Sequence, residues 1–288
     1  MIHFSDTDVA RALDGADLVA ALGEAFVDLA NGNAAQQARV RTEAGKIKLS
    51  TLGAVLPRRG VAGAKVYTTI GGQFHFLIAL FSASTGNAVA TFDAGEITRR
   101  RTAAVSVLAA RYCAPKRISK IAVFGAGMQG TAHAEAFARA YSYAEVRVAG
   151  RNDDPGSIVE GAQIVVTATR ASTPLFDGRR VSPGTFVSAV GSTRQDTREL
   201  DDALMGRART IIVEWKQQTV CEAGELALLA PNVRARLCII ELGDLIAGKA
   251  RARESESDVV VFKSVGVGLE DVVAAGLAYR VLTGGEPR

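Results

Sequence analysis

The sequence is poor in the residues that staple a fold or bind a metal. Three cysteines, Cys113, Cys221 and Cys238, stand far apart in 288 residues. That excludes a disulfide framework and, with no basic and apolar leader opening the chain, predicts a reduced, cytoplasmic setting. Only three histidines occur, His3, His75 and His133, and none lies at ligand spacing from a cysteine or another histidine, so no metal is expected. Apolar runs are too short to span a bilayer, and no membrane partner is expected. Net charge is only +4, and apart from Arg99-Arg100-Arg101 the cations are scattered. This argues against a nucleic-acid partner while suiting a small anionic ligand. No internal repeat is visible. What remains, 48% hydrophobic and 22% charged residues, describes an ordinary globular protein with room for two lobes.

One stretch organises the rest. Ile121-Ala-Val-Phe-Gly125-Ala-Gly127-Met-Gln-Gly130 is an aliphatic run entering G-x-G-x-x-G, followed by an alanine-rich helical pattern to Tyr141. A buried strand, a tight turn and a helix N-terminus in this order make a dinucleotide cradle. Gly125 permits the turn, Gly127 lets the backbone approach a pyrophosphate, and Gly130 lets the helix pack on the strand. Met128 and Gln129 supply further N–H groups. The next strand, Glu145 to Ala149, ends at Gly150-Arg151-Asn152. An arginine there suits a 2'-phosphate, so Arg151 and Asn152 lean toward NADP(H), with NAD(H) left open and a surface pairing of Arg151 with Asp153 or Asp154 as the alternative.

Before this stretch, apolar residues from Asp6 to Gly32 recur at helical spacing and predict a single helix. Short strands follow, Lys46 to Leu52, Gly63 to Thr69, Phe74 to Phe81 and Ala88 to Phe92, with turn signals at Pro57, Gly60, Gly71-Gly72 and Thr85-Gly86-Asn87. A helix over Thr98 to Tyr112, capped by Thr98, closes a lobe made of an antiparallel sheet and helices. After it, strands at Gln163 to Ala168, Thr185 to Val190, Thr210 to Glu214 and Val259 to Lys263 end in small or polar residues. Thr167, Thr169, Val190 and Thr193 are candidate walls of the crevice at the strand carboxyl ends. A last helix covers Glu270 to Leu282.

Several segments together resemble the ornithine cyclodeaminase and mu-crystallin family: Arg41-Thr42, Gly63-Ala-Lys65-Val-Tyr67, Ile97-Thr-Arg-Arg-Arg101-Thr-Ala-Ala104, the glycine turn, Val190 to Leu204, and Val261-Phe-Lys-Ser-Val-Gly266 with Glu270-Asp271. The resemblance implies an α/β protein with a central Rossmann NAD(P)-binding domain, residues 115–266. A second α+β domain, residues 1–114 plus 267–288, would bind substrate and form a homodimer. It implies chemistry on small amino or imino acids: ornithine cyclodeamination, alanine dehydrogenation or reduction of cyclic imines. Arg41, Lys65 and Arg101 match the family's carboxylate-binding and catalytic positions. Guanidinium groups clamp a carboxylate bidentately, and a lysine desolvated beside them is a credible proton donor at the substrate nitrogen; an exposed strand-end ammonium is the alternative for Lys65. Arg99 and Arg100 are expected on a solvated face.

Three departures shape the expected activity. Cyclodeaminases carry an aspartate where this chain has Thr193, with Asp196 nearby but out of register. Ala54-Val-Leu-Pro57 lacks their glutamate. Both favour the mu-crystallin, ketimine reductase branch, which uses NADPH. Between Arg151 and Gly161 there is too little chain for the usual helix and strand of the second mononucleotide half. The expected activity is NAD(P)H-dependent reduction of a small, cyclic alpha-imino acid, with Thr193 orienting the nitrogen. Ornithine cyclodeaminase, alanine dehydrogenase and a non-catalytic NADPH or ligand binder are the alternatives.

Overall fold

A computed structural model describes residues 1–14, 17–150 and 152–285. In chain order its elements are β1 (Ile2–Phe4), α1 (Asp6–Leu13), α2 (Leu18–Ala30), β2 (Ala35–Gln36), β3 (Val40–Ala44), β4 (Ile47–Leu56), β5 (Val61–Ile70), β6 (Gln73–Ser82), β7 (Ala88–Asp93) and α3 (Gly95–Cys113). There follow β8 (Lys120–Phe124), α4 (Met128–Ala140), β9 (Glu145–Ala149), α5 (Pro155–Val159), β10 (Ile164–Thr167), β11 (Phe186–Ala189), α6 (Asp202–Arg207) and β12 (Ala208–Val213). The last are α7 (Lys216–Glu222), α8 (Gly224–Ala227), α9 (Pro231–Arg234), β13 (Ile239–Glu241), α10 (Leu242–Ile246), β14 (Val259–Lys263) and α11 (Gly268–Thr283). They divide into two compact units, Met1–Arg101 with Val267–Arg288, and Thr102–Gly266. One crossing lies inside α3, between Arg101 and Thr102. Among the described residues no helix is long and apolar enough to cross a membrane.

The first unit is built on a sheet of order β1-β7-β6-β5-β4-β2, with β3 also paired to β4. It is antiparallel except where β1 runs parallel to β7. The two-residue loop between β5 and β6 is Gly71-Gly72, both at positive φ, the backbone that a tight hairpin requires. The register sets Leu52, Lys65, Ile78 and Phe92 side by side, so a lysine sits in the apolar row that faces the core. Each buried leucine or phenylalanine of this face contributes about 1.5–3 kcal/mol. α11 packs on that face so closely that a Cβ at Gly268 would lie 2.6 Å from the Gly53 backbone. On the opposite face, offset by one residue along each strand, Val55, Leu77 and Phe81 are exposed.

Two local expectations are corrected here. The helix expected over 6–32 is two helices: α1 ends at Asp14 in an extended conformation, and Asp17 starts α2 by accepting the Ala20 N–H. Thr98 does not cap α3, which begins at Gly95. It lies in the first turn, where its hydroxyl donates to the Ala94 carbonyl at 2.6 Å.

In the second unit the strands form a parallel sheet of order β13-β12-β14-β11-β10-β8-β9. β10, β11 and β14 are buried along their whole length, which is why they read as predominantly apolar runs. Strand order reverses at β8, whose neighbours are β9 and β10, and the carboxyl ends there form the crevice typical of such sheets. β9 is an edge strand of this sheet among the described residues, β13 being the other. The chain beyond it holds only the five-residue α5, N-capped by Asp154, before β10.

Candidate functional site

Each unit assembles one centre. In the first, β5 delivers Lys65, α3 delivers Arg101, and the first turn of α11 delivers Glu270 and Asp271. The Lys65 ammonium donates to Thr98 Oγ1 at 2.7 Å and to Asp271 Oδ1 at 3.3 Å. It also lies 4.4 Å from the centre of the Phe76 ring, a favourable seat for a cation. Arg101 donates from Nε to Asp271 Oδ1 at 3.0 Å and from Nη1 to Glu270 Oε2 at 2.5 Å. Lys65 is only 3% exposed, which disposes of a strand-end ammonium in water. Burial brings its pKa down to about 8, with the Asp271 charge opposing the fall and Arg101 and Arg39 adding to it. Burial would raise the Asp271 carboxyl, but Arg101 and Lys65 outweigh burial and hold it below its ordinary value.

Arg41 lies on β3 opposite Ser50, with its side chain exposed. The arginine of that segment whose charge acts on both Lys65 and Asp271 is Arg39, half-buried just before β3. Arg99 and Arg100 are not a solvated face. Both close on Glu96 at 2.7 and 2.5 Å, and those hydrogen bonds, Arg99's foremost, take its carboxyl down to about 2.

The second centre is the glycine turn. Gly125 has φ +113°, and a Cβ there would sit 2.5 Å from the Ala168 carbonyl. A Cβ at Gly130 would strike the Gly125 carbonyl at 1.7 Å, so helix and turn touch backbone to backbone. Gly127 differs: it is the N-cap of α4, no side chain caps that end, and a Cβ there would meet nothing within 4 Å. Open space before uncapped N–H groups at a helix start fits a pyrophosphate, so this donor set accepts a dinucleotide. Met128 is exposed and Gln129 half-buried beside it. Asn152 is exposed in the turn after β9, and Arg151 lies outside the described residues. Asp153 accepts the Gly150 N–H at 2.8 Å and lies 3.6 Å from Arg147.

Thr167 and Thr169, at the end of β10, give their hydroxyls to Glu199 at 2.8 and 2.7 Å. Val190 is buried and Thr193 half-buried. Asp196 forms a surface ion pair with Arg194 at 2.6 Å, its side chain 62% exposed. His75 is exposed on β6; His133 is buried, held between the Gln129 carbonyl and Ser106 at 2.7 and 2.9 Å.

With this geometry in hand, comparison with known proteins is specific. The sequence model of the Ornithine cyclodeaminase/mu-crystallin family matches residues 1–155 and 152–286. The chain belongs to the ornithine cyclodeaminase/mu-crystallin family. Ketimine reductase mu-crystallin of Rattus norvegicus is 34% identical over 220 residues, covering 70% of this chain and 68% of that protein. Delta(1)-pyrroline-2-carboxylate reductase of Bacillus cereus is 30% identical over 249 residues, covering 78% and 74%. Among solved structures, that of a probable ornithine cyclodeaminase from Bordetella pertussis Tohama I has a TM-score of 0.94 at 47% identity and covers 99% of this chain and 97% of that one. The two segments of the family match meet at residues 152–155, where the connection after β9 is short. Members of the family named here are oxidoreductases or cyclodeaminases, so the centre in each unit belongs to an enzyme.

Four partners escaped the sequence reading: Arg39 and Thr98 beside Lys65, and Glu199 and Glu225 in the second unit. Glu270, Asp271 and Lys263 were visible as motif residues without a role. The one signal for Lys263 was an ammonium ending the wholly apolar strand Val259-Val-Val-Phe.

Proposed function

We propose that the chain is a nicotinamide-dependent reductase of small alpha-imino monocarboxylic acids, cyclic ones foremost, with NADP(H) the preferred cofactor. The observation that carries this is the buried cluster in the first unit. Arg39, Lys65 and Arg101 bring three cations to bear on the Glu270 and Asp271 carboxylates. A substrate carboxylate is drawn to these cations, and guanidinium groups are the side chains that seat it. A second ammonium, as in a diamino acid, would meet like charges inside a desolvated cluster, where burying it is costly.

Lys65 holds the proton for the substrate nitrogen. With a pKa brought to about 8 it is charged at neutral pH yet releases its proton readily, the balance general acid catalysis needs. Asp271 and Thr98 fix the direction of its ammonium, and Arg101, braced by Glu270 and Asp271, presents a rigid fork. In the second unit Gly125, Gly127 and Gly130, with the first N–H groups of α4, would hold the pyrophosphate, and Arg151 and Asn152 the adenosine side. The nicotinamide cofactor, when bound, supplies a hydride to the imine carbon. The names of the rat and Bacillus cereus relatives, a ketimine reductase and a pyrroline-2-carboxylate reductase, support the same chemistry. Thr193 in place of an aspartate, and Asp196 engaged with Arg194 at the surface, weigh against cyclodeamination, because a hydroxyl is no carboxylate base at neutral pH. A homodimer through the exposed apolar face of the first unit's sheet, with Val55, Leu77 and Phe81 at its centre, accounts for that face.

The test is an NADPH-oxidation screen over pyrroline-2-carboxylate, piperideine-2-carboxylate and pyruvate plus ammonia, run beside an ornithine deamination assay. Oxidation with a cyclic imino acid is expected. Ammonia and proline from ornithine with catalytic NAD and no net reduction would overturn the proposal.

A further inference from the structure

Behind the crevice of the second unit lies a buried group of charges that the proposed chemistry does not use. Glu199, Glu225 and Lys263 are each fully buried. Lys263, at the end of β14, donates to the Ser192 carbonyl at 2.6 Å and the Ala189 carbonyl at 3.3 Å, and forms an ion pair with Glu225 Oε2 at 3.0 Å. Glu225 in turn accepts the backbone N–H of Glu199 at 2.8 Å. Glu199 takes four hydrogen bonds. Oε1 accepts the Thr169 N–H and hydroxyl, both at 2.7 Å, and Oε2 accepts the Thr167 hydroxyl and the Gly191 N–H, both at 2.8 Å. The fit is tight enough that a Cβ at Gly191 would lie 2.4 Å from Oε1 and 2.3 Å from the Thr169 carbonyl.

Stability does not explain such a group. Burying two carboxylates and an ammonium costs several kcal/mol per ion, and apolar side chains of the same volume usually serve at least as well. What the charges add is direction. Every bond they make ends on one of two consecutive strand ends, 167–169 after β10 and 189–192 after β11, or on the network itself. These strand ends continue the glycine turn: Ala168 donates its N–H to the Phe124 carbonyl at 2.9 Å, and Val190 donates to the Thr167 carbonyl at 2.9 Å. The part of the wall from Thr167 across Thr169 to Gly191, which continues the glycine turn, is thereby pinned.

We infer that Glu199, supported by Glu225 and Lys263, is the positioning residue of the dinucleotide site, setting the wall of the crevice beyond the pyrophosphate turn. This rests on the nicotinamide cofactor proposed above. The network lies in the second unit and the Lys65 cluster in the first, so it governs capture and alignment of the dinucleotide and leaves capture of the imino acid alone.

The experiment uses two near-isosteric variants of the full chain, Glu199→Gln and Thr167→Val, each checked for wild-type circular dichroism. Glu199→Gln puts an amide N–H against the donors of Thr169 or Gly191; Thr167→Val removes one donor and keeps the volume. Calorimetric titration with NADPH and NADP should show binding at least about tenfold weaker in Glu199→Gln and a smaller loss in Thr167→Val, since a misplacement near 1 Å costs on that scale. The KM for the cofactor should rise with it while the KM for the imino acid stays within twofold, a split that general loosening of the fold would not give. Folded Glu199→Gln with wild-type dinucleotide affinity and cofactor KM overturns the inference alone. Wild-type protein that binds no dinucleotide overturns the proposed function and the inference with it.

Discussion

Raising the pH should switch reduction off through Lys65, and removing Asp271 should move the point at which this happens. With a pKa of about 8, Lys65 is about nine-tenths charged at pH 7 and about one-tenth charged at pH 9. The ammonium is the proton donor, so kcat/KM for imine reduction is full below pH 8 and falls about tenfold per unit above it. The Asp271 carboxylate, 3.3 Å from Nζ, opposes deprotonation, and an opposite charge at that range is worth about 1–3 pH units. Asp271→Asn keeps the shape and removes the charge, so the descending limb should drop to about pH 7 or below. The assay is NADPH oxidation from pH 6 to 10 at constant ionic strength with one imino acid for both proteins, which cancels the ionisation of the imine itself. Stability provides an independent check with the opposite sign. The unfolded lysine titrates at its ordinary 10.5, so between about 8 and 10.5 the unfolded chain binds more protons and the wild-type protein should gain stability as pH rises. Identical limbs in wild type and a folded Asp271→Asn would refute the assignment of Lys65 as donor.

The last two glycines of the turn should separate binding from folding. Gly127→Ala places its methyl in open space at φ −83°, so thermal stability should hold while NADPH affinity falls about tenfold or more, because the backbone can no longer approach the pyrophosphate. Gly130→Ala drives a methyl into the Gly125 carbonyl and should lower Tm by several degrees or prevent folding, as seen by differential scanning calorimetry. Arg101→Met should cost about 100-fold or more in kcat/KM for the imino acid with NADPH affinity unchanged, and Thr193→Val clearly less, since a buried charged partner outweighs a hydroxyl. Leu77→Arg, on the exposed face of the first sheet, should turn a dimer into a monomer by light scattering; a wild-type monomer, or a dimer unaffected by the charge, would contradict that interface.

Features written in consecutive residues were legible in the sequence. The glycine turn, the apolar parallel strands and the turn at Gly71-Gly72 each announce themselves locally, and the short link after Ala149 is visible as a length. The helix over 6–32 was misread because the spacing of Leu13, Leu18 and Leu22 tolerates a break, while Asp17 as a cap shows only when its side chain is seen on the Ala20 N–H. Thr98 was misread because a threonine ahead of an apolar period looks like a cap, whereas its hydroxyl is turned to Ala94 and Lys65. Partnerships were the least legible. Lys65 and Asp271 are 206 positions apart and Arg101 and Glu270 are 169 apart. The register of Lys65 with Leu52 and Ile78 decides that it is buried, and no local pattern encodes which carboxylates meet it there. For the same reason the sequence points to Arg41 as the cation of that segment, whereas a charge acting on Lys65 is that of Arg39.

The most direct test of the central claim follows the hydride itself. NADPH carrying deuterium at the transferring C4 position is incubated with the protein and pyrroline-2-carboxylate, and the proline formed is weighed by mass spectrometry. Proline one mass unit heavier, with the label on Cα, is the predicted result. Unlabelled proline, or none while NADPH stays reduced, would contradict it.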